Sequence, residues 1–229
     1  MEMAKGLFVT GTGTDIGKTY ISALLLKRLN EAGLSCAYFK AAMSGNERLP
    51  NGELIPGDAK LVKSVSGIDQ PLDTACPYVY ETAVSPHLAS RLEGGAVDMA
   101  VVREYYARLC EKYDYILSEG SGGIVCPIRY DERVIMLPDI IKALGLPCII
   151  VADAGLGTIN SVVLTYEYMK AHGIAAKGII LNRFHRGDAM EEDNKLMCGR
   201  LTSLPVLACV GEGDKDISLD ADTLAALFE

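Results

Sequence analysis

The sequence predicts an α/β fold, in which a mostly parallel sheet carries helices on both faces. Three observations lead there. Short β-type runs alternate with helical patterns along the whole chain, as a parallel sheet with crossover helices requires. Most of the runs are apolar on both faces, as buried parallel strands are. A glycine-rich turn separates the first run from the first helical stripe, at the end of a strand where open sheets of this kind hold their ligands.

Taken in order, the strand candidates are Leu7 to Thr10, Cys36 to Lys40, Tyr115 to Glu119, Pro147 to Asp153, Lys177 to Asn182 and Pro205 to Val210. Between them lie helical stripes. Ile21, Leu24, Leu25 and Leu29 recur at a spacing of about 3.6 residues, as do Ile159, Val162, Val163, Tyr166 and Met169. Each stripe is expected to pack on the sheet. The segment from Ala41 to Gly57, with Gly45, Pro50, Gly52, Pro56 and Gly57, shows no clear pattern and reads as a functional loop after the second strand.

The chain has 229 residues, and no linker, repeat or low-complexity tract divides it, so residues 1–229 are expected to form a single domain. Hydrophobic residues make up 49% and charged residues 23%, enough for a sizeable core. The balance of 22 basic against 30 acidic residues gives a net charge of −8. The general attraction that draws basic proteins to nucleic acid or anionic membranes is therefore missing, and neither is expected as a partner. Any anionic ligand must be held by a local site. No apolar run approaches the roughly 20 residues of a membrane span, and Met1 to Lys5 leads straight into a strand without a signal-like region. The seven cysteines form no C-x-x-C pair and fall mostly in apolar segments, which reads as reduced core thiols in a cytoplasmic protein.

The strongest motif is Gly11-Thr-Gly-Thr-Asp-Ile-Gly-Lys-Thr19. Its glycines let the backbone curl so that N–H groups face phosphate oxygens, and the helix opening near Gly17 adds the positive end of its dipole. Lys18 is placed for the β- and γ-phosphates and Thr19 for Mg²⁺. Five residues separate Gly11 from Gly17, one more than the usual pattern, so the loop is expected to be wider. The Rossmann alternative fails because position 16 is Ile and the second strand ends in Lys40 rather than an acidic residue. The motif therefore predicts a P-loop NTPase-like fold binding a nucleoside triphosphate.

Further clusters end the predicted strands: Lys40-Ala-Ala-Met-Ser-Gly45, Glu119-Gly-Ser-Gly-Gly123 and Gly157-Thr-Ile-Asn160. With the wide P-loop, Asp58 and Ser85-Pro-His87, they resemble the dethiobiotin synthetase family over roughly residues 5 to 205. The resemblance implies an ATP-dependent cyclo-ligase of biotin biosynthesis. Such an enzyme joins 7,8-diaminononanoate, CO2 and ATP into dethiobiotin, ADP and phosphate, by phosphorylating a carbamate and closing a ureido ring.

It implies roles residue by residue. Lys18, Lys40 and Thr14 match catalytic positions. Gly13, Thr14, Asp15, Ile16, Gly17, Lys18 and Thr19 match the nucleotide loop, and Asn182 an asparagine that contacts the base. Lys40 and Ser44 match positions near the carbamate. Gly157, Thr158 and Asn160 match the turn that holds the far carboxylate of the diamine across a homodimer interface. Thr19, Asp58 and Glu119 match the ligands of Mg²⁺. His87 resembles part of a substrate-pocket motif, although a histidine in a helix's first turn is more often structural.

On the residues alone, Thr158 is a candidate N-cap, and Asp58 could equally cap the helix that follows it. The pattern departs from the family twice. Asp15 stands where glutamate is common, and the tail after Pro205 lacks the Gly-x-x-Pro of the base-binding loop. Two other P-loop classes stand as alternatives: partitioning-type switch ATPases, which share the fold, and amidotransferase domains, which share parts of the set. The switches carry an early loop lysine where this chain has Gly13. Both Lys18 and Lys40 read as residues whose removal would spare the fold, because each serves charge rather than packing.

Overall fold

The computed structural model describes residues 4–229. Six parallel strands form the central sheet: β1 (Lys5–Gly11), β2 (Cys36–Phe39), β3 (Tyr115–Glu119), β4 (Cys148–Asp153), β5 (Ala176–Asn182) and β6 (Val206–Val210), in the order β6-β5-β4-β1-β3-β2. All six expected strands are present, with no end shifted by more than two residues. The helices are α1 (Lys18–Glu31), α2 (Gly57–Ser66), α3 (Pro86–Glu93), α4 (Met99–Cys110), α5 (Leu137–Leu144), α6 (Thr158–Ala171), α7 (Ala189–Thr202) and α8 (Ala221–Ala226).

Successive residues of β1 point to opposite faces, and this divides the core. Leu7 and Val9 pack with Leu24, Leu25 and Leu29 of α1, Val62 of α2 and Leu224 of α8. Phe8 packs with Val102 and Leu109 of α4 and Ile140 and Ile141 of α5. Toward the β6 edge, Ala152 and Leu181 meet Val162 of α6 and Cys198 of α7. The apolar stripe expected on α1 is fully buried. On α6 only Val162 and Met169 of the expected stripe are buried, with Thr165 between them. All seven cysteines are free thiols, five of them buried. Among the described residues no helix is long and apolar enough to cross a membrane.

The segment from Ala41 to Gly57 is more ordered than the sequence suggests. Ala42–Met43 pairs with Tyr78–Val79, and Glu47–Arg48 forms a hairpin with Leu54–Ile55. These pairs are two residues long, too short for periodicity to register. They bring α2 back toward the carboxyl ends of the strands. Because β3 and β4 flank β1 on opposite sides, the chain order reverses at β1, which is where an open sheet leaves a crevice for ligands.

Candidate active site

The loop from Thr12 to Gly17 leaves β1 at this crevice. Thr12 N–H donates to Val151 O, which fastens the start of the loop to β4. Asp15 and Gly17 adopt left-handed backbone conformations, with φ of 57° and 89°, and Gly17 caps α1. A Cβ on Gly17 would lie 2.1 Å from Asn182 Nδ2, so both the conformation and the space require glycine. That close neighbour has a purpose. Asn182 Nδ2 donates to Ile16 O at 2.9 Å, and Arg183 Nη2 donates to Asp15 O at 2.6 Å. Two consecutive residues at the end of β5 thus take up two consecutive loop carbonyls. Gly13 O is taken up by Lys18 Nζ at 2.7 Å.

Across the crevice the register decides which side chains meet. Phe39 of β2 pairs with Ser118 of β3, so the next residues, Lys40 and Glu119, emerge side by side. Lys40 Nζ donates to Glu119 Oε1 and to Asp58 Oδ2, each at 2.7 Å. Thr19 Oγ1 lies 2.9 Å from Glu119 Oε1 and 3.4 Å from Asp58 Oδ1. Asp58 is the second residue of α2, and the N-cap position belongs to Pro56. The capping alternative for Asp58 is therefore overturned, because the helix begins at Gly57, two residues before the start that alternative needs, and leaves the carboxylate free to turn toward Lys40. Lys40 is 7% exposed, which excludes a solvated surface lysine.

Thr14, Asp15, Gly17, Lys18, Thr19, Lys40, Ser44, Asp58 and Glu119 line one cleft of about 480 Å³. Gly13 and Ile16 shape the loop through their carbonyls, and Asn182 sits beneath it. The sequence reading missed Arg183, Ser121 and Tyr20, which also line the cleft, and Tyr38, whose hydroxyl donates to Glu119 Oε2 at 2.8 Å. Tyr38 carries a usable signal, since side chains two residues apart on a strand share a face. It lies two before Lys40. Arg183 follows a motif residue but has no pattern of its own.

Gly157, Thr158 and Asn160 do not join this cleft. They open α6 beyond β4, with Gly157 in the left-handed region as the N-cap and Thr158 as the first helical residue. The N-cap expected at Thr158 is thus corrected. Glycine at φ 90° turns the chain into the helix one residue sooner, and Thr158 Oγ1 is buried without a hydrogen-bond partner. Asn160 is exposed. His87 lies in the first turn of α3 and is not among the residues that line the cleft.

Burial pushes the Lys18 ammonium down to about 8, and the nearby Lys40 charge adds to this against the opposing pull of Glu119 and Asp58. Burial would lower Lys40 as well, but Glu119 and Asp58 overcome it and hold the group above the ordinary lysine value. Tyr38 is raised well above the usual phenol range by burial and by the Glu119 charge, so it remains a donor.

Among the described residues no cluster of three or more His, Cys, Asp or Glu side chains offers a protein-only metal cage. The donor set at Thr19, Asp58 and Glu119 is instead all oxygen, and the Lys40 ammonium shows that a cation is stable between the two carboxylates. That suits Mg²⁺, which favours one or two carboxylates with the rest of its shell from water and phosphate.

Comparisons with known proteins agree with this geometry. A family model described as an AAA domain matches residues 5–215. A protein of Clostridium botulinum named ATP-dependent dethiobiotin synthetase is 44% identical over 227 residues, covering 99% of each chain. One of the same name from Brachyspira hyodysenteriae is 45% identical, covering 99% of this chain and all of its own. Among solved structures, the MinC:MinD cell division complex of Aquifex aeolicus matches with a TM-score of 0.57 at 16% identity, over 93% of this chain and 83% of that one. Chloroplast FtsY of Physcomitrella patens matches at 0.51 and 18% identity, over all of this chain and 66% of that one. The structural likenesses establish a shared P-loop architecture alone, whereas the sequence relatives span the whole chain. This chain belongs to the ATP-dependent dethiobiotin synthetase family.

Proposed function

We propose that residues 1–229 act as one P-loop domain that closes the ureido ring of dethiobiotin from 7,8-diaminononanoate, CO2 and ATP, as a homodimer in the cytoplasm. The observation that carries this reading is the Lys40–Glu119–Asp58–Thr19 cluster facing the phosphate loop across one cleft. Such a cluster serves a reaction in which negative charge gathers on transferring phosphoryl and carbamate oxygens, where fixed cations and N–H donors are most effective.

One amine of the substrate takes up CO2 as a carbamate. A carbamate oxygen then attacks the γ-phosphorus, and ADP leaves. The second amine attacks the activated carbonyl, the ring closes, and phosphate departs with the carbamate oxygen. The backbone N–H groups from Gly13 to Thr19 cradle the phosphates, with Thr14 and Asp15 facing phosphate and substrate. Lys18 exchanges Gly13 O for the β- and γ-phosphate oxygens. Lys40 is the cation nearest the carbamate and the moving phosphoryl group, with Ser44 as a neighbouring donor. Thr19, Asp58 and Glu119 would hold Mg²⁺, which when bound neutralises phosphate charge.

The turn at Gly157, Thr158 and Asn160 lies outside the cleft of its own chain, which supports its use by a neighbouring subunit to hold the substrate carboxylate. The alternative of a switch ATPase is disfavoured by Gly13, where those proteins carry a lysine, and by full-length relatives named as this biosynthetic enzyme. The test is to incubate the purified protein with Mg-ATP, 7,8-diaminononanoate and carbon-13 bicarbonate. Dethiobiotin one mass unit heavier than the unlabelled product is expected. ATP turnover indifferent to the diamine would instead point to a switch.

A further inference from the structure

Tyr38 points inward from β2, an edge strand of the sheet, with 1% of its surface exposed. Its hydroxyl donates to Glu119 Oε2 at 2.8 Å, while Thr19 and Lys40 both engage the other oxygen, Oε1. The two oxygens of one carboxylate therefore have separate duties. Oε2 is held by a phenol locked in the core, and Oε1 by groups that line the cleft.

β2 pairs with β3 along one side only, so the backbone of Tyr38 would lack partners on the other. The Gln70 side chain fills that place. Its Oε1 accepts from Tyr38 N–H at 2.8 Å, and its Nε2 donates to Tyr38 O at 2.9 Å. A buried amide, 3% exposed, thus closes both backbone groups of one residue as a strand neighbour would. Nε2 also donates to Thr74 Oγ1 at 3.1 Å, which ties the amide to the segment before Ala75. Ala75 O in turn accepts Lys40 N–H at 2.9 Å.

We propose that Tyr38 is a positioning residue for the ring-closing reaction: it fixes the Glu119 carboxylate so that Oε1 alone faces the metal and the phosphoryl group, and Gln70 fixes Tyr38. This rests on the assignment of Glu119 to the Mg²⁺ shell. A carboxylate without the phenol is free to rotate and to share its charge between both oxygens. Removing the hydroxyl also leaves Oε2 buried without a donor. Outer partners of metal-ligating side chains typically govern affinity by a factor of ten or more.

The experiment measures Mn²⁺ binding by electron paramagnetic resonance in the presence of a non-hydrolysable ATP analogue. It compares wild type with Tyr38→Phe, Tyr80→Phe and Glu119→Gln. Tyr38→Phe is expected to weaken Mn²⁺ about tenfold and to raise the Mg²⁺ needed for half-maximal rate by a similar factor, with KM for the diamine unchanged. Tyr80→Phe removes the hydrogen bond of another buried tyrosine, to Gly95 O at 2.6 Å, at a residue that does not line the cleft. It is expected to keep the wild-type metal affinity. Wild-type Mn²⁺ affinity in Tyr38→Phe overturns the proposal. If Glu119→Gln also binds Mn²⁺ normally, the metal assignment itself has failed; if Glu119→Gln alone weakens it, only the positioning role has. Should Tyr38→Phe not fold, Gln70→Met carries the test with an expected weakening of about threefold, and unchanged affinity there overturns the proposal.

Discussion

Lys40 Nζ and Glu119 Oε1 lie 2.7 Å apart although 79 residues separate them in the chain. The contact follows from two adjacent parallel strands in register, each ending at the crevice. Glu119 has a fully buried side chain, so Lys40 is its nearest compensating charge until a metal arrives.

The two site lysines are therefore expected to differ in what they do for the fold. Removing Lys40 strands a buried carboxylate, and breaking such a pair costs about 3–5 kcal/mol. Lys18 is the opposite case. Its folded value is depressed to about 8 from an ordinary 10.5, so between those values the unfolded chain binds more protons. Stability from this group is thus lowest below pH 8 and rises as pH climbs toward 10.5. At pH 7, Lys40→Ala is expected to melt well below wild type and Lys18→Ala at or above it. Thermal denaturation checks this, and equal losses in both variants would count against it. The sequence alone expects both to fold normally, and only the register and burial separate them.

Both variants are nonetheless expected to lose ring closure by about 10²-fold or more, since each removes a cation from developing negative charge. The measurement is kcat for dethiobiotin formation at saturating substrates. Near-normal turnover by Lys40→Ala would remove it from the chemistry.

Lys18 also predicts a pH profile. Its ammonium loses its proton near pH 8 in the free protein, whereas Lys40 stays charged far beyond. The kcat/KM for ATP, which reports the free enzyme, is expected to fall about tenfold per pH unit above roughly 8. A profile flat to pH 10 would show that Lys18 does not carry the charge that captures the triphosphate.

Within the loop, Gly17 and Gly13 are expected to respond differently to alanine. At Gly17 a methyl meets Asn182 Nδ2 in a left-handed conformation, while at Gly13 no atom lies within 4 Å of the added Cβ. Left-handed backbone alone costs a non-glycine residue about 1–2 kcal/mol. Gly17→Ala should therefore lower the melting temperature without nucleotide and Gly13→Ala should not. The reverse order would mean that the loop rearranges freely.

A shared site makes its own prediction. Lys18→Ala subunits mixed with subunits disrupted at Thr158 and Asn160 are expected to recover about half-site activity in verified mixed dimers, because one of the two sites is then intact. No recovery would confine the site to one chain.

The sheet was legible because buried parallel strands are continuous apolar runs, and the phosphate loop because Gly11, Gly13 and Gly17 lead into Lys18-Thr19 between a strand and a helical stripe. Lys40 and Asp58 were legible only through the family resemblance, since a lysine at a strand end and an aspartate at a helix start have ordinary structural uses, whereas Glu119 also stood out as a carboxylate ending an apolar strand. Less visible was whatever depended on two-residue pairing, such as the short strands between Ala42 and Ile55. Tyr38 looked like one more apolar strand residue, since its function appears only when β2 is laid beside β3. The Asn182 amide shows a similar limit. The resemblance implies a base contact for it, while the structure shows it holding Ile16 O.

The most direct test of the account follows oxygen from CO2. If a carbamate oxygen attacks the γ-phosphorus and later leaves with it, single-turnover reaction with oxygen-18 CO2, quenched before exchange with water, must place one labelled oxygen in each phosphate released alongside dethiobiotin. Phosphate free of label in a reaction that makes dethiobiotin would contradict carbamate phosphorylation in this cleft.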